Sequence, residues 1–337
     1  MYTDKNQSWS LAGLFTLSMR LVIGWTYFSA FWRRLILENK LIPEEAGYIG
    51  EKFNHFLPNA LGIKPIIEYL VSNPDALQVS MIAFTIVEAI VGLFIILGLF
   101  TRLMSVGVFF LASGILLGSG WIGTTCLDEW QIGVLGLAGG FTMFLTGSGP
   151  FSLDYYMIKK NIGITTKKWF SWLGSGMLPI AASKLKYAVL TFSIFLFGVT
   201  LATNQIFHGG VWGTLHNMSV KPIVEISNPV LTENDLTFQL YRVEGADVYG
   251  SFLIEIQLLD KQDQVLKSIG MSELSNYPLD KISNHYVAKI KPGIHSLIIP
   301  LGAKADFTVS LDDISSEDIQ TVKLIDISGA KWHLELK

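Results

Sequence analysis

Two charged residues stand inside long apolar runs of this chain: Arg20 in LFTLSMRLVIGW and Glu88 in AFTIVEAIVGLF. In hydrocarbon an unpaired charge is costly, and intramembrane acids mark proton relays and ligand sites. Arg20 lies about nine residues into its run, and Glu88 about twelve residues before the end of its own. At 1.5 Å per residue these depths agree within about one turn, so an Arg20–Glu88 pair is expected. Glu88 then either fixes helix register through that pair, or it relays protons or contacts a quinone headgroup. Arg33 and Arg34 come directly after the first run. Two adjacent guanidinium groups suit bidentate capture of a small oxyanion; the plainer readings are snorkelling to lipid phosphates and pairing with Glu38.

The only cysteine, Cys126, falls in TTCLDEWQIG with Asp128, Glu129 and Trp130 close behind. A lone membrane cysteine is often a small filler. As a nucleophile it needs a nearby cation, because the neighbouring acids raise a thiol pKa. His208 and His216 in NQIFHGGVWGTLHNMSV are suited to proton movement near neutral pH. There is no HxH, no His pair at i, i+4, and no GxGxxG, CxxCH or Walker pattern, so no metal, nucleotide, flavin or covalent haem is indicated.

The elements that must position these residues can be read from composition. Half of the residues are hydrophobic and 16% are charged, against about a quarter in soluble domains, so a bilayer is the solvent for much of the chain. A net charge of −3 gives no sign of a nucleic-acid partner, and one cysteine excludes an intrachain disulfide. Five runs, about 11–32, 78–100, 103–121, 131–148 and 186–205, approach the 20 or so residues that span hydrocarbon. Gly114-x3-Gly118, Gly136-x3-Gly140, Gly92 and Gly98 read as helix-packing positions; exposed glycine faces are compatible with a homodimer. From residue 209 the texture changes to short alternating runs such as LTFQLYRV, FLIEIQLL and DFTVSLD, the period-two pattern of an antiparallel β-sandwich. The expected organisation is therefore a four-helix transmembrane bundle at 1–150, a connection and fifth transmembrane helix at 151–208, and an extracytoplasmic β-sandwich at 209–337.

Between Pro150 and Lys186, six lysines (Lys159, Lys160, Lys167, Lys168, Lys184 and Lys186) face one acid, Asp154. The positive-inside rule makes this connection cytoplasmic in an inner membrane, with the amino terminus and Arg102 also inside. The 33–76 segment, the Cys126 segment and the sandwich then lie outside; Arg33 and Arg34 run against the rule. The polar start and long first run read as a retained helix rather than a cleaved leader.

VEAIVGLFIILGLFTR resembles the second helix of the DoxX-type four-helix membrane proteins. GWIGTTCLDEWQIGVLGLAGGFTMFLTGSGPFSLD is similar to their DoxD branch, and the chain from NQIFHGGVWGTLHNMSVKP onward resembles DoxA. Together these resemblances cover nearly the whole chain as a DoxD–DoxA fusion, the thiosulfate:quinone oxidoreductase family. The resemblance implies oxidation of two thiosulfates to tetrathionate, with two electrons passing to a freely exchanging membrane quinone. It carries no catalytic residues across.

Placed on that reaction, Arg33 and Arg34 are the candidate thiosulfate ligands, and Cys126, Asp128, His216 and Glu88 the candidate catalytic groups. Arg20, Glu88, Trp25 and Trp130, with Tyr27, Phe28, Phe31 and Trp32, are candidates around the quinone. Either Cys126 forms a Cys–S–S–SO3 adduct that a second thiosulfate resolves, or two clamped thiosulfates are oxidised directly. Two other classes remain open: a scaffold that holds partner enzymes at the membrane, and a sulfur-oxyanion permease.

Overall fold

The computed structural model describes residues 2–43, 45, 47–123, 128–246, 251–312 and 314–336, with side chains from Trp9 onward except that of Asp128. The chain forms two compact units. The first comprises Met1–Tyr48, Gln78–Gly120 and Asp128–His216; the second comprises Ile49–Leu77, Trp121–Leu127 and Asn217–Lys337.

In chain order the helices are α1 (Tyr2–Phe15), α2 (Leu17–Phe31), α3 (Gly50–Phe56), α4 (Lys64–Ser72), α5 (Pro74–Leu97), α6 (Thr101–Ser119), α7 (Asp128–Thr146), α8 (Leu153–Lys159), α9 (Phe170–Leu173) and α10 (Ala182–His208). Among the described residues, α5, α6 and α10 are each long and apolar enough to cross a membrane. The pair formed by α1 and α2, bent by 54°, adds a fourth crossing if it counts as one span. This is an integral membrane protein. The α7 helix has the length of α6, but Asp128, Glu129, Gln131 and four glycines dilute its hydropathy.

The first run is not one straight helix. Thr16 Oγ1 back-bonds to the carbonyls of Ala12 (3.2 Å) and Gly13 (3.4 Å), and it also meets Thr146 Oγ1 at 3.2 Å. A hydroxyl inserted into the main-chain ladder bends a helix. Close approaches then set the register. A Cβ on Gly92 would lie 2.4 Å from the Phe28 nitrogen, and one on Gly24 would lie 2.9 Å from the Gly92 carbonyl. The α2 and α5 helices therefore cross backbone to backbone. In the same way Gly133, Gly136 and Gly140 of α7 seat Leu116, Ala112 and the Ser105–Phe109 backbone of α6. Gly114 faces open space instead.

One end of this unit is locked by buried charge. Asp154, fully buried, accepts from the main-chain N–H groups of Phe100 and Thr101 at 2.8 and 3.0 Å, and from the Thr101 and Ser175 hydroxyls. A carboxylate at the start of α6 complements the helix dipole. Arg102, also fully buried, donates to the carbonyls of Phe144, Ser171 and Gly176.

The second unit holds α11 (Met271–Leu274) and the strands β1 (Ile223–Leu231), β2 (Asp235–Glu244), β3 (Ser251–Leu259), β4 (Val265–Ile269), β5 (Ile282–Asn284), β6 (Lys291–Pro292), β7 (Leu297–Ile299), β8 (Lys304–Ser310), β9 (Thr321–Asp326) and β10 (Lys331–Glu335). One sheet runs β1-β2-β8-β5 and the other β10-β9-β3-β7-β6, with β4 also on β3. All pairings are antiparallel. Period two selects the core: Leu236, Phe238 and Leu240 of β2 and Ala305, Phe307 and Val309 of β8 face Ile256, Leu258, Val322 and Leu324 of the other sheet. Each such large side chain contributes about 1.5–3 kcal/mol of burial. This is the expected sandwich.

Sequence distant from the strands completes this unit. Asn54 of α3, fully buried, donates to the Gly302 carbonyl (2.9 Å) and accepts from the Ala288 N–H (3.0 Å). Leu57, Ile67 and Val71 form a cluster with Tyr286. Trp121 Nε1–H donates to the Phe56 carbonyl, and Ser219 Oγ donates to the Gly123 carbonyl at 2.6 Å. Ile49–Leu77, the stretch that leads into and opens α5, is thus part of the sandwich unit.

Candidate functional site: a buried carboxylate and its arginine

Beyond α2 the chain makes a π-helical turn, Trp32–Leu37. At its start a side chain and the main chain share one carbonyl. Arg33 Nε donates to Ser29 O (3.3 Å), which also receives the Trp32 N–H, while Arg33 Nη2 donates to Ser29 Oγ (3.2 Å). A wide turn re-aims the side chains beyond it, and such turns recur at functional sites. Here it turns Arg34 into the bundle.

Arg34 meets Glu88 in a fork: Nη1 to Oε2 at 2.5 Å and Nη2 to Oε1 at 3.4 Å. The Glu88 side chain is 5% exposed and that of Arg34 is 18% exposed. Thr85, one turn before Glu88, accepts from Arg34 Nη1 at 3.4 Å, and the guanidinium lies 5.8 Å from the Phe84 ring centroid. Tyr27 is buried within the cluster of Val91, Ile95, Val108, Leu111 and Met143, and its hydroxyl lies within electrostatic reach of Glu88. Gly136 and Ala112 leave room at that end of the ring; a Cβ on Gly136 would be 3.2 Å from the Tyr27 hydroxyl.

The expected Arg20–Glu88 pair does not form. The Gly24–Gly92 crossing sets Arg20 level with Ile96, eight residues or about 12 Å along the axis from Glu88. Side chains lean toward the start of their own helix, and the two helices run antiparallel. Arg20 therefore leans away from Glu88, whereas Arg34 and Glu88 lean toward each other. Arg20 Nη1 and Nη2 donate to the carbonyls of Ser148 and Phe151, both at 2.5 Å, within electrostatic reach of Asp154. It belongs to the locked end of the unit, not to a carrier site.

Arg33 and Arg34 do not close on one anion either, because their guanidinium groups take different partners. Arg33 remains exposed, and Glu38 pairs with Lys40 at 3.0 Å. On the outer surface of α2, Phe28 lies 5.6–6.3 Å from Phe31, Trp25 and Trp32, and both tryptophans are exposed. Trp130 ties α7 to α10 through Nε1–H to Thr203 Oγ1 at 3.0 Å. His216 is exposed and its ring nitrogen lies 3.3 Å from the Ile206 carbonyl; His208 is buried against the Gly120 carbonyl at 2.9 Å. Cys126 and the Asp128 side chain lie outside the described residues.

Ser29 and Thr85 escape a search for charges. Their signal is spacing: Ser29 four before Arg33, and Thr85 three before Glu88, each on the helix face of its partner. No group of three or more His, Cys, Asp or Glu side chains with metal-binding geometry occurs among the described residues.

No solved structure matches the chain. Residues 15–181 match the family described as TQO small subunit DoxD, and residues 207–335 match TQO small subunit DoxA. With the two profiles in tandem over helices and strands respectively, the chain belongs to these families as a DoxD–DoxA fusion, with an oxidoreductase role related to thiosulfate:quinone oxidoreductase.

Proposed function

We propose that this protein joins two thiosulfates into tetrathionate and passes two electrons and two protons to a membrane quinone. The observation that carries the reading is the forked Arg34–Glu88 pair, set among apolar helices with the Glu88 side chain 5% exposed. Replacing a buried ion pair with apolar residues is often neutral or stabilising, so stability alone gives little reason for a pair here.

The donor set fits a quinone. Arg34 and the Thr85 and Tyr27 hydroxyls are donors suited to its carbonyl oxygens, and the Glu88 carboxylate is a group that can take up and release a proton where water is scarce. Bound there, a quinone supplies the two-electron, two-proton acceptor of the reaction. Arg34 keeps the Glu88 carboxyl oriented, and the Phe84 ring closes one side of the guanidinium. Trp25 and Trp32 offer flat apolar surface at the lipid side of α2.

Thiosulfate, a water-soluble dianion, is drawn to exposed Arg33 at the end of the unit opposite the lysine-rich connection. By the lysine count that end faces outward, as does the sandwich unit. In the covalent route the Cys126 thiolate and the sulfane sulfur of one thiosulfate form an S–S bond with loss of two electrons. A second thiosulfate attacks that sulfane sulfur and displaces the thiolate, which regenerates the protein and releases tetrathionate. In the direct route two thiosulfates couple while held side by side, and the thiol is not needed. Asp128 and His216 are the candidate proton donors toward the outer face.

The test is reduction of a soluble quinone analogue by purified protein on adding thiosulfate, with tetrathionate measured alongside. Wild type, Glu88→Gln and Cys126→Ala are compared at equal folded concentration. Loss in Glu88→Gln alone places the chemistry at the buried pair and selects the direct route; loss in both selects the adduct. Wild-type protein that reduces no quinone sinks the reading and leaves a scaffold, or a permease if labelled thiosulfate exchanges across liposomes.

A further inference from the structure

Residues 187–220 contain no Asp, Glu, Lys or Arg, so the uncharged stretch outlasts α10, which ends at His208. From Tyr187, just after Lys184 and Lys186, to Ile206 is about 20 residues or about 30 Å of helix, the thickness of the hydrocarbon core. The loop 209–216 therefore begins where headgroups begin.

That loop is built rather than slack. Gly209 at φ +68° and Gly210 at φ +82° turn the chain back, and the Gly209 N–H is held by the Asn204 and Gln205 carbonyls. The Gln205 side-chain oxygen accepts from the N–H groups of Val211 (3.1 Å) and Trp212 (3.0 Å). The His216 N–H closes the turn on the His208 carbonyl at 3.0 Å. Its polar main chain is thus folded onto the last turn of α10 while its apolar side chains are held outward: Trp212 is 68% exposed, Leu215 82%, and Val211 and Ile206 are also exposed. In water such a fixed apolar display is unfavourable. At the boundary of headgroup and acyl chain an indole and a leucine are favoured, and no charge has to be desolvated.

We propose that the loop 209–216 is a lipid-interface anchor, with Trp212 and Leu215 seated at the headgroup–acyl boundary as a continuation of the lipid surface of α10. The inference is independent of the proposed reaction. The experiment places full-length protein in phosphatidylcholine liposomes carrying bromine either near the ester end or near the methyl end of the acyl chains. The Trp212 emission is taken as the difference between wild type and Trp212→Phe. The anchor predicts at least twofold loss of that component with shallow bromine, a weaker effect with deep bromine, and little quenching by aqueous iodide. Quenching by iodide but not by bromine means a loop in water and overturns the anchor. Protection from both means a covering protein, such as a second copy, and overturns it too. If Trp212→Phe fails to accumulate, Leu215→Trp in the otherwise native chain must add a component that shallow bromine quenches, and its absence is equally fatal.

Discussion

The helical unit handles buried arginine in two ways, at two ends. Near the lysine-rich connection, Arg20 makes two and Arg102 three hydrogen bonds to main-chain carbonyls of residues 144–176, with Asp154 as the nearby acid. At the other end Arg34 faces a carboxylate side chain, with the Thr85 hydroxyl and the Phe84 ring beside it. Carbonyls cannot change charge, so the first arrangement can only fasten the chain. A carboxylate can take and release a proton, so the second can do work. The contrast separates an arginine bonded to the main chain from one bonded to a side chain that can change its protonation.

The largest expected effect tests the fastening end. Arg102→Ala strands three carbonyls, and each hydrogen bond to a charged group contributes about 1.5–3 kcal/mol. The variant should be recovered in low yield, and its thermal unfolding in detergent should fall sharply. Native-like unfolding would erase the difference between the two ends.

At the other end, Glu88→Gln leaves the Arg34 charge without its carboxylate and should lower yield as well; per folded protein, quinone reduction should fall by about a hundredfold or more, the scale of lost general acid–base catalysis. The double variant Arg34→Met, Glu88→Leu separates stability from chemistry. Removing one partner of a buried pair costs about 3–5 kcal/mol, and removing both for apolar residues restores most of it. The double variant should unfold like wild type and remain inactive; activity in it would place the chemistry elsewhere.

A smaller effect is expected at the surface. Arg33→Gln should raise KM for thiosulfate about tenfold with kcat nearly kept, because one charge-assisted hydrogen bond contributes about 1.5 kcal/mol or more. Initial rates over a thiosulfate series measure the split.

The smallest is a pH effect in the sandwich unit. Burial first, and then the hydrogen bond to Glu68, hold the Tyr286 hydroxyl above the ordinary tyrosine range. The unfolded chain ionises first, near pH 10, so this contribution is complete below about pH 10 and is lost as pH rises beyond it. Tyr286→Phe should flatten the alkaline side of the unfolding curve, recorded by circular dichroism, without changing the acid side.

Much of this was legible in the sequence, for physical reasons. The change of period near residue 209 marks helices giving way to an antiparallel sandwich, because strands of a half-buried sheet alternate and membrane helices do not. Glu88 was legible as an acid in an apolar run. Its partner was not, because counting depth from residue 11 assumes one straight helix. The Thr16 bend and the π turn move the register, and only the Gly24–Gly92 crossing reveals which arginine Glu88 meets. The α3–α4 segment is similar. Ile67 and Val71 in KPIIEYLVS have helical spacing, but nothing local says that their apolar face completes a sandwich about 150 residues later in the chain.

The two halves of that contact are made at different times. Leu57, Ile67, Val71 and Asn54 leave the ribosome early, yet Ala288, Tyr286 and Gly302, which cover or bond them, are made last. At about 5–20 residues per second the wait is roughly ten to fifty seconds, during which an amphipathic helix and a buried-type asparagine stay uncovered. A chain with this threading calls for a holding chaperone or the membrane surface itself to shelter the segment, and truncation after α10 should leave a product that aggregates through residues 49–77.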